Sequence, residues 1–450
     1  MLKKAASLLK ALSLGGLVIV LVLLPFWRHR VLYRRPPEAV FFALRDIILY
    51  TSDYFIIGTL GAWLLSRRLQ GETPTLHIGT SAIFTPMVAL LLLGLVSAFQ
   101  AIDPVYALYH ALRCLLLLTF FLLLANAPFV TPGLIAWVLS FTIVLQASIG
   151  GLQFVQGRSL GLQRLGEVVL NPNWPGISIV GIGEERWLRA YGLTQHPNLL
   201  GGCLMVCLLI LVGYALDRPH GERWVLTAFF GLGLAGLLFT FSRAAWLGAL
   251  AGGTVTMGLL SLTGARRKAS WRAVVPFLIV ALVVVTIFVT TYGRLLIPRL
   301  GLTNQGTEIR SVEERKVLMD GALALIYRYP FLGVGLGNFA VALYRVVPET
   351  VAAYPTYQPV HNVPLLVTAE LGLLGGALWL ALIIRPWVVL WQHRREIHLT
   401  GWWAGLNGAL MGLSVVSLFD AYVWSAHQGA LALTLVLGLW AREWKRKTLE

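Results

Sequence analysis

Charge is scarce in this chain, and acid is the scarcest part of it. Of 450 residues only 12% are charged, with 20 Asp and Glu against 36 Lys and Arg, a formal net charge of +16. Residues 223–307 contain no Asp or Glu at all. Cysteine is nearly missing: Cys114, Cys203 and Cys207 all fall in apolar runs, so neither a disulfide nor a metal framework is indicated. Cys203 and Cys207 share a helix face, where packing accounts for them. There is no Gly-x-x-x-x-Gly-Lys-Ser/Thr loop and no Asp-x-Asp in a polar loop, which weakens ATP hydrolysis and metal-dependent sugar transfer as readings. The fragment Gly333-Val334-Gly335-Leu336-Gly337 lacks the strand–helix–strand surroundings of a dinucleotide site and is expected to be a turn. Internal repeats, low-complexity tracts and an appended soluble domain are also missing. The basic excess is scattered over short loops, so no nucleic-acid partner is expected.

Apolar residues are abundant: 57% of the chain is hydrophobic and the mean hydropathy is +0.75. Runs of roughly 17–25 apolar residues are long enough to cross a bilayer as helices, which satisfy their own backbone in lipid. The expected fold is therefore all-α, a polytopic transmembrane helix bundle of about twelve helices with one large periplasmic helical loop. The spans are read at 12–27, 46–66, 80–98, 105–125, 134–156, 198–216, 224–241, 244–262, 273–291, 365–385, 401–419 and 427–441. Lys3, Lys4 and Lys10 ahead of the first span would suit a secretory signal, but Pro25-Phe26-Trp27-Arg28 follows instead of a small-residue cleavage site. An uncleaved anchor is expected. The organisation is 1–292 with a polar loop near 157–197, a long polar segment at 293–364, and the last spans with a basic tail at 365–450.

Charge sets an expected orientation. With twelve spans both termini share one side with Arg67-Arg68, Arg218, Arg266-Arg267-Lys268 and Arg394-Arg395, which should be cytoplasmic. Six of the seven lysines then lie inside, with Lys316 the exception, whereas sixteen of the twenty-nine arginines lie outside. Arg28, Arg30, Arg34, Arg35 and Arg45 form one outer group. A planar guanidinium suits bidentate contact with phosphate better than an ammonium does.

The 293–364 segment is the longest polar stretch. Residues 308–327 read as an amphipathic helix with Leu318, Met319, Ala322, Leu325 and Ile326 at helical spacing. On it Arg315 shares the apolar stripe and has no acid three or four residues away, while Arg310 has Glu313 and Glu314. Arg243 stands at the turn between two spans, with no local carboxylate. Such an arginine calls for an anion, water or lipid headgroups. His361 precedes Asn362, Pro364 and a span; a histidine there is either a helix-end residue or a base for an incoming hydroxyl. Glu370 is too far along the same helix to pair with it. His196 carries the same ambiguity.

Four passages in order carry a resemblance. They are 191–198 (Tyr-Gly-Leu-Thr-Gln-His-Pro-Asn), 241–248 (Phe-Ser-Arg-Ala-Ala-Trp-Leu-Gly), Glu314-Arg315 through 330–339 (Pro-Phe-Leu-Gly-Val-Gly-Leu-Gly-Asn-Phe), and His361-Asn362 through 370–375 (Glu-Leu-Gly-Leu-Leu-Gly). Together they resemble the O-antigen ligase/polymerase superfamily of bacterial membrane glycosyltransferases. The resemblance implies a multi-pass inner-membrane enzyme without cofactor or metal, facing the periplasm. It implies an undecaprenyl-diphosphate-linked glycan as donor and lipid A core or another glycan as acceptor. Arg243 and Arg315 match the family's essential arginines and His361 its essential histidine. Arg189, His196, Asn198 and Asn362, in or beside these passages, are the candidate contacts to diphosphate or glycan. Many relatives carry tryptophan shortly after the second arginine, where this chain has Met319. Three readings stay open: a ligase, a polymerase of lipid-linked repeats, and a flippase of lipid-linked sugar. The flippase would be expected to show ionisable or helix-breaking residues near mid-membrane, where Arg113 is the clearest charge.

Overall fold

The computed structural model describes residues 2–71, 76–181, 185–262, 267–299, 306–351, 357–394 and 399–449. It is a bundle of long helices: α1 (Leu2–Val22), α2 (Thr51–Leu69), α3 (Ser81–Ser97), α4 (Pro104–Asn126), α5 (Pro132–Gln156), α6 (Pro197–Leu216), α7 (His220–Phe239), α8 (Arg243–Ser261) and α9 (Arg267–Arg299). Then come α10 (Gly306–Arg328), α11 (Phe339–Val346), α12 (Val363–Gln392), α13 (Gly401–Phe419), the single turn α14 (Tyr422–Ser425) and α15 (His427–Leu449). Among the described residues nine helices are long and apolar enough to cross a membrane, and α3 is apolar but shorter. This is a multi-pass membrane protein. The remaining expected spans fall on α2, α3 and α15.

Helix starts follow local chemistry. Asp103, Thr131 and His196 each cap a helix with a side-chain acceptor, and each is followed by proline at the first helical position. Proline has no N–H to leave orphaned there. The first span needs correction: the helix covers 2–22 and not 12–27. Hydropathy marks only the apolar part of a helix, while Lys3, Lys4 and Lys10 sit on its polar first turns and Pro25 lies beyond its end. Residues 46–50 likewise precede the second helix: they belong to a hairpin, β1 (His29–Tyr33) against β2 (Ile47–Tyr50). A second, minimal pair joins β3 (Ile179–Val180) to β4 (Trp187–Leu188).

The core is built on glycine. α8 and α13 lie along one another, and α6 lies against α13. A Cβ on Gly252 would stand 2.5 Å from the Gly408 carbonyl oxygen, and one on Gly405 would stand 2.7 Å from the Gly213 Cα. Small residues let backbones approach where lipid offers no hydrophobic drive between helices. α6 is buried on nearly every face, whereas α9 exposes Leu278, Ile279 and Leu282.

Arg113 on α4 is neutralised inside the bundle. Its Nη1 donates to Asp53 Oδ2 on α2 at 3.0 Å, and its Nη2 meets Nδ1 of His427 on α15. Tyr50 and Tyr109 flank the guanidinium. The outer arginine group is also partly structural. Arg35 grips Asp103 with Nε–Oδ2 at 2.9 Å and Nη2–Oδ1 at 2.6 Å, fastening the hairpin to the start of α4. Arg28 donates to the Arg164 carbonyl.

Candidate functional site

The site gathers at the bundle end where α1 stops and α6, α8 and α12 begin. Residues 191–193 are pinned to α5. Gln153 Oε1 accepts from the Tyr191 and Gly192 amides, and Gln146 Oε1 accepts from Leu193. Gly192 has φ +58°, and a Cβ there would stand 2.4 Å from Gln146 Oε1, so only glycine fits. This anchoring delivers His196 and Asn198 to the start of α6.

From there a chain of polar contacts crosses the bundle. Arg189, 4% exposed, donates through Nε to the Thr240 carbonyl and through Nη2 to Asn198 Oδ1, both at 2.6 Å. Asn198 Nδ2 donates to Asp420 Oδ2 at 2.6 Å, and Asp420 Oδ1 accepts from the Ala421 amide. Asp420 lies between α13 and α14, near enough for its charge to act on the His361 imidazole. Asn362 sets that approach. Its Oδ1 caps α12 at Leu365, and its Nδ2 donates to the Leu418 carbonyl at the end of α13.

His361 is half-buried, and its Nδ1 is enclosed without a hydrogen-bond partner. Burial holds the imidazole below its ordinary value; the Asp420 carboxylate pulls against this, the Arg315 charge adds to it, and Glu314 opposes it. His361 is accordingly a neutral base near pH 7. His196 is driven further, down to about 3, by burial and then by the Arg189, His361 and Arg299 charges. Both its ring nitrogens are occupied within the protein: Nδ1 accepts from the Asn198 amide, and Nε2 faces Ser178 Oγ at 2.8 Å.

Arg243 and Arg315, far apart in sequence, line one pocket with Arg299, Asn198, Ser242 and Asp420. It has about 580 Å³ of empty volume, part of it open to solvent. Arg243 opens α8, after the Ser242 cap. The break between α7 and α8 is a sharp one, with Phe241 at φ +48°, a region a bulky residue rarely occupies. Its ring is fully buried against Phe154, Phe288 and Trp246. Across this turn two arginines tie the start of α8 to the end of α9. Arg243 Nη1 donates to the Arg299 carbonyl at 2.8 Å, and Arg299 Nη2 donates to the Phe241 carbonyl at 3.3 Å. Arg315 arrives on α10, whose Leu318, Ala322 and Leu325 are buried against Phe339, Leu343 and Leu366. Met319 departs from the expected stripe: it is 44% exposed, one step round the helix from the buried line. The pairing expected for Arg310 lies outside the described residues.

The turn at 333–337 docks onto α12. The Val334 and Gly335 amides donate to the Ala369 and Glu370 carbonyls, and Leu373 donates back to Pro330. α12 is broken there at Gly372, with φ +73°, where a Cβ would lie 2.0 Å from the Phe331 oxygen. Glu370 does not meet His361; its Oε2 accepts from Trp424 Nε1 at 2.8 Å.

Two pocket residues escaped sequence reasoning, Arg299 and Asp420. Each ends an apolar run at this same end of the bundle, and an acid in so acid-poor a chain is the signal that could have flagged Asp420. Among the described residues no group of three His, Cys, Asp or Glu side chains is placed to hold a metal ion.

Residues 228–380, which contain Arg243, Arg315 and His361, match the family model described as O-Antigen ligase. This match supports the resemblance to the O-antigen ligase-like superfamily over that stretch. That superfamily is one of ligase- and polymerase-type membrane glycosyltransferases. Arg189, His196, Asn198 and Asp420 lie outside the matched stretch and join it only in space. No curated protein matches the chain. A chain from a solved structure titled "Structural coordination of polymerization and crosslinking by a peptidoglycan synthase complex" is similar over 81% of this chain and 97% of its own, with 18% identity and a TM-score of 0.41.

Proposed function

We propose that this O-antigen ligase-like protein transfers a glycan from undecaprenyl diphosphate to an acceptor hydroxyl of lipid A core or a similar glycan, on the periplasmic side. The supporting observation is the pocket itself: three guanidinium groups, from α8, α9 and α10, with one carboxylate among its described walls. Its cationic balance suits a diphosphate, whose negative charge grows as the glycosidic bond breaks. Preorganised cations aimed at developing charge are usually the largest catalytic contribution.

In this reaction the acceptor oxygen attacks the anomeric carbon while the carbon–oxygen bond to the diphosphate breaks. The hydroxyl proton passes to His361, and the electron pair leaves on undecaprenyl diphosphate, facing Arg243 and Arg315. Asp420 stabilises the imidazolium so formed. Arg189 and Asn198 act through Asp420, and Asn362 through the start of α12, so these three position the site rather than touch substrate. The orientation rests on the lysine bias of the sequence. The alternatives are polymerase action, joining one lipid-linked repeat to another, and a flippase. Against the flippase stands Arg113, a charge within a span, which is fastened by Asp53 and His427.

The deciding assay uses purified protein in detergent with EDTA, lipid-linked glycan and candidate acceptors. Carrier release with transfer to lipid A core supports the ligase. Ladders on the carrier show a polymerase, and no transfer to any acceptor, with translocation in vesicles, overturns the enzyme.

A further inference from the structure

Five arginines lie between positions 28 and 45, and the fold treats them unequally. The hairpin of β1 and β2 that holds them hangs between α1, long and apolar enough to cross the membrane, and α2, which packs along it. Its base is fixed, for the Thr51 amide that opens α2 donates to the Arg28 carbonyl at 3.0 Å. Its inner side packs Val31 and Ile48 with Trp27, Phe42 and Tyr50. Arg35 and Arg45 each have an acid, Asp103 at 2.6 Å and Asp46 at 3.3 Å. Arg30 alternates with Val31 and is exposed. At Leu32 the ladder slips its register, and Leu32, Tyr33 and Arg34 are exposed together. Arg164 borders them: its carbonyl accepts from Arg28 Nη1 at 2.6 Å, and its side chain is exposed. Among the described residues no ion pair or side-chain hydrogen bond engages Arg30, Arg34 or Arg164, and Glu38 is the one exposed acid of the hairpin. Leu32 and Phe41 are more than half exposed beside these charges.

From this division we infer that the outer face of the hairpin lies on the bilayer surface and binds the headgroups of anionic phospholipids. Solvation accounts for an exposed arginine taken singly. It does not account for Leu32 and Phe41 standing open among three unmatched arginines, on a hairpin whose ends run straight into the helix bundle. At a membrane surface the two kinds of side chain have separate partners. Apolar side chains enter the boundary between headgroups and acyl chains, and a guanidinium fork takes phosphate oxygens. A soluble polyanion would meet the arginines but leave Leu32 and Phe41 in water. The inference is independent of the glycan-transfer reading, because none of these residues lines the arginine pocket.

The test uses the full-length protein in nanodiscs of phosphatidylglycerol and phosphatidylcholine, equimolar and with the same tails. A photoreactive p-benzoylphenylalanine placed at Leu32 is activated by light, and lipid adducts are counted by mass spectrometry. Phosphatidylglycerol adducts should exceed phosphatidylcholine adducts by about fivefold, the preference given by one arginine near an anionic surface. Arg30→Gln with Arg34→Gln and Arg164→Gln should bring the ratio to about one, and Arg34→Gln alone should lower it part of the way. Because all three side chains are exposed, these variants should keep the parental thermal midpoint. Salt at about 0.5 M should lower the ratio as well. Lys316→Gln, a cation away from the hairpin, should leave it unchanged. Equal adducts of the two lipids in the parental protein, or a ratio that the triple variant does not move, overturns the inference. So does an absence of lipid adducts, or crosslinks to a second copy of the chain in their place.

Discussion

Arg113 and Arg315 both project from helices of an acid-poor bundle, but the protein meets their charges in different ways. Around Arg113, three elements converge to satisfy the guanidinium: Asp53 from α2, His427 from α15, and the rings of Tyr50 and Tyr109. Asp53 is in turn committed, accepting from the Tyr50 amide at 2.9 Å. Arg315 lines a pocket with two other arginines, Arg243 and Arg299, and with Asp420, a carboxylate already engaged by Asn198 and Ala421. A buried arginine matched by its own carboxylate joins helices. An arginine set with others around an open pocket is what the proposed function reads as an anion site. The sequence shows only a charge in an apolar region in both cases.

This contrast can be broken from several sides. The largest effect is expected at His361, beside the arginine pocket. His361→Ala should lower glycan transfer by about 10²–10⁴-fold, the usual range for a lost general base, while donor binding measured at equilibrium stays near parental. Parental transfer by the alanine variant would falsify the base assignment. Arg113→Met should act on folding instead. Leaving Asp53 buried without its cation should cost about 3–5 kcal/mol, read by denaturant unfolding in detergent, with transfer per folded molecule unchanged. If stability held and turnover fell, the division between structural and anion-binding arginines would be wrong.

Arg315→Lys keeps the charge and loses the planar fork. A fall of about 10–100-fold in transfer is expected, and an undiminished rate would argue against bidentate phosphate contact. The smallest effect is in pH. The His361 imidazole lies below its ordinary 6.5, so its basic form persists as pH falls to that value and is lost only beneath it. The transfer rate should therefore be flat from about pH 7.5 to 6.5 and fall below. An acid limb centred above 6.5 would remove His361 as the base. Folding should show the same sign: the native state holds His196 neutral down to about 3, so stability is lost as pH drops from 6.5 toward that value.

Much of the helical layout was legible because lipid-crossing helices announce themselves by length and hydropathy. The errors sit where that signal is blind. α1 begins ten residues before its apolar run because lysines can occupy its first turns. The hairpin of β1 and β2 was missed because one ladder of a few residues leaves almost no trace in hydropathy. Arg243, Arg315 and His361 were singled out from their positions, and the structure brings the two arginines into one pocket. Asn362 and His196 were also singled out, yet the structure shows their side chains capping α12 and α6. A polar residue before a span reads the same whether it caps the helix or faces a substrate.

By itself the sequence determined a bundle of membrane helices, because backbone groups in lipid can be satisfied only within each helix or a closed barrel. It also determined which cations lacked neighbouring acids along the chain. The tertiary structure alone decided that Asp53 would meet Arg113 and that Asp420 would meet Asn198. It also brought Arg299 beside Arg243. These pairings join residues from 56 to 222 positions apart on different elements, and only the packing of the helices fixes the distances between them.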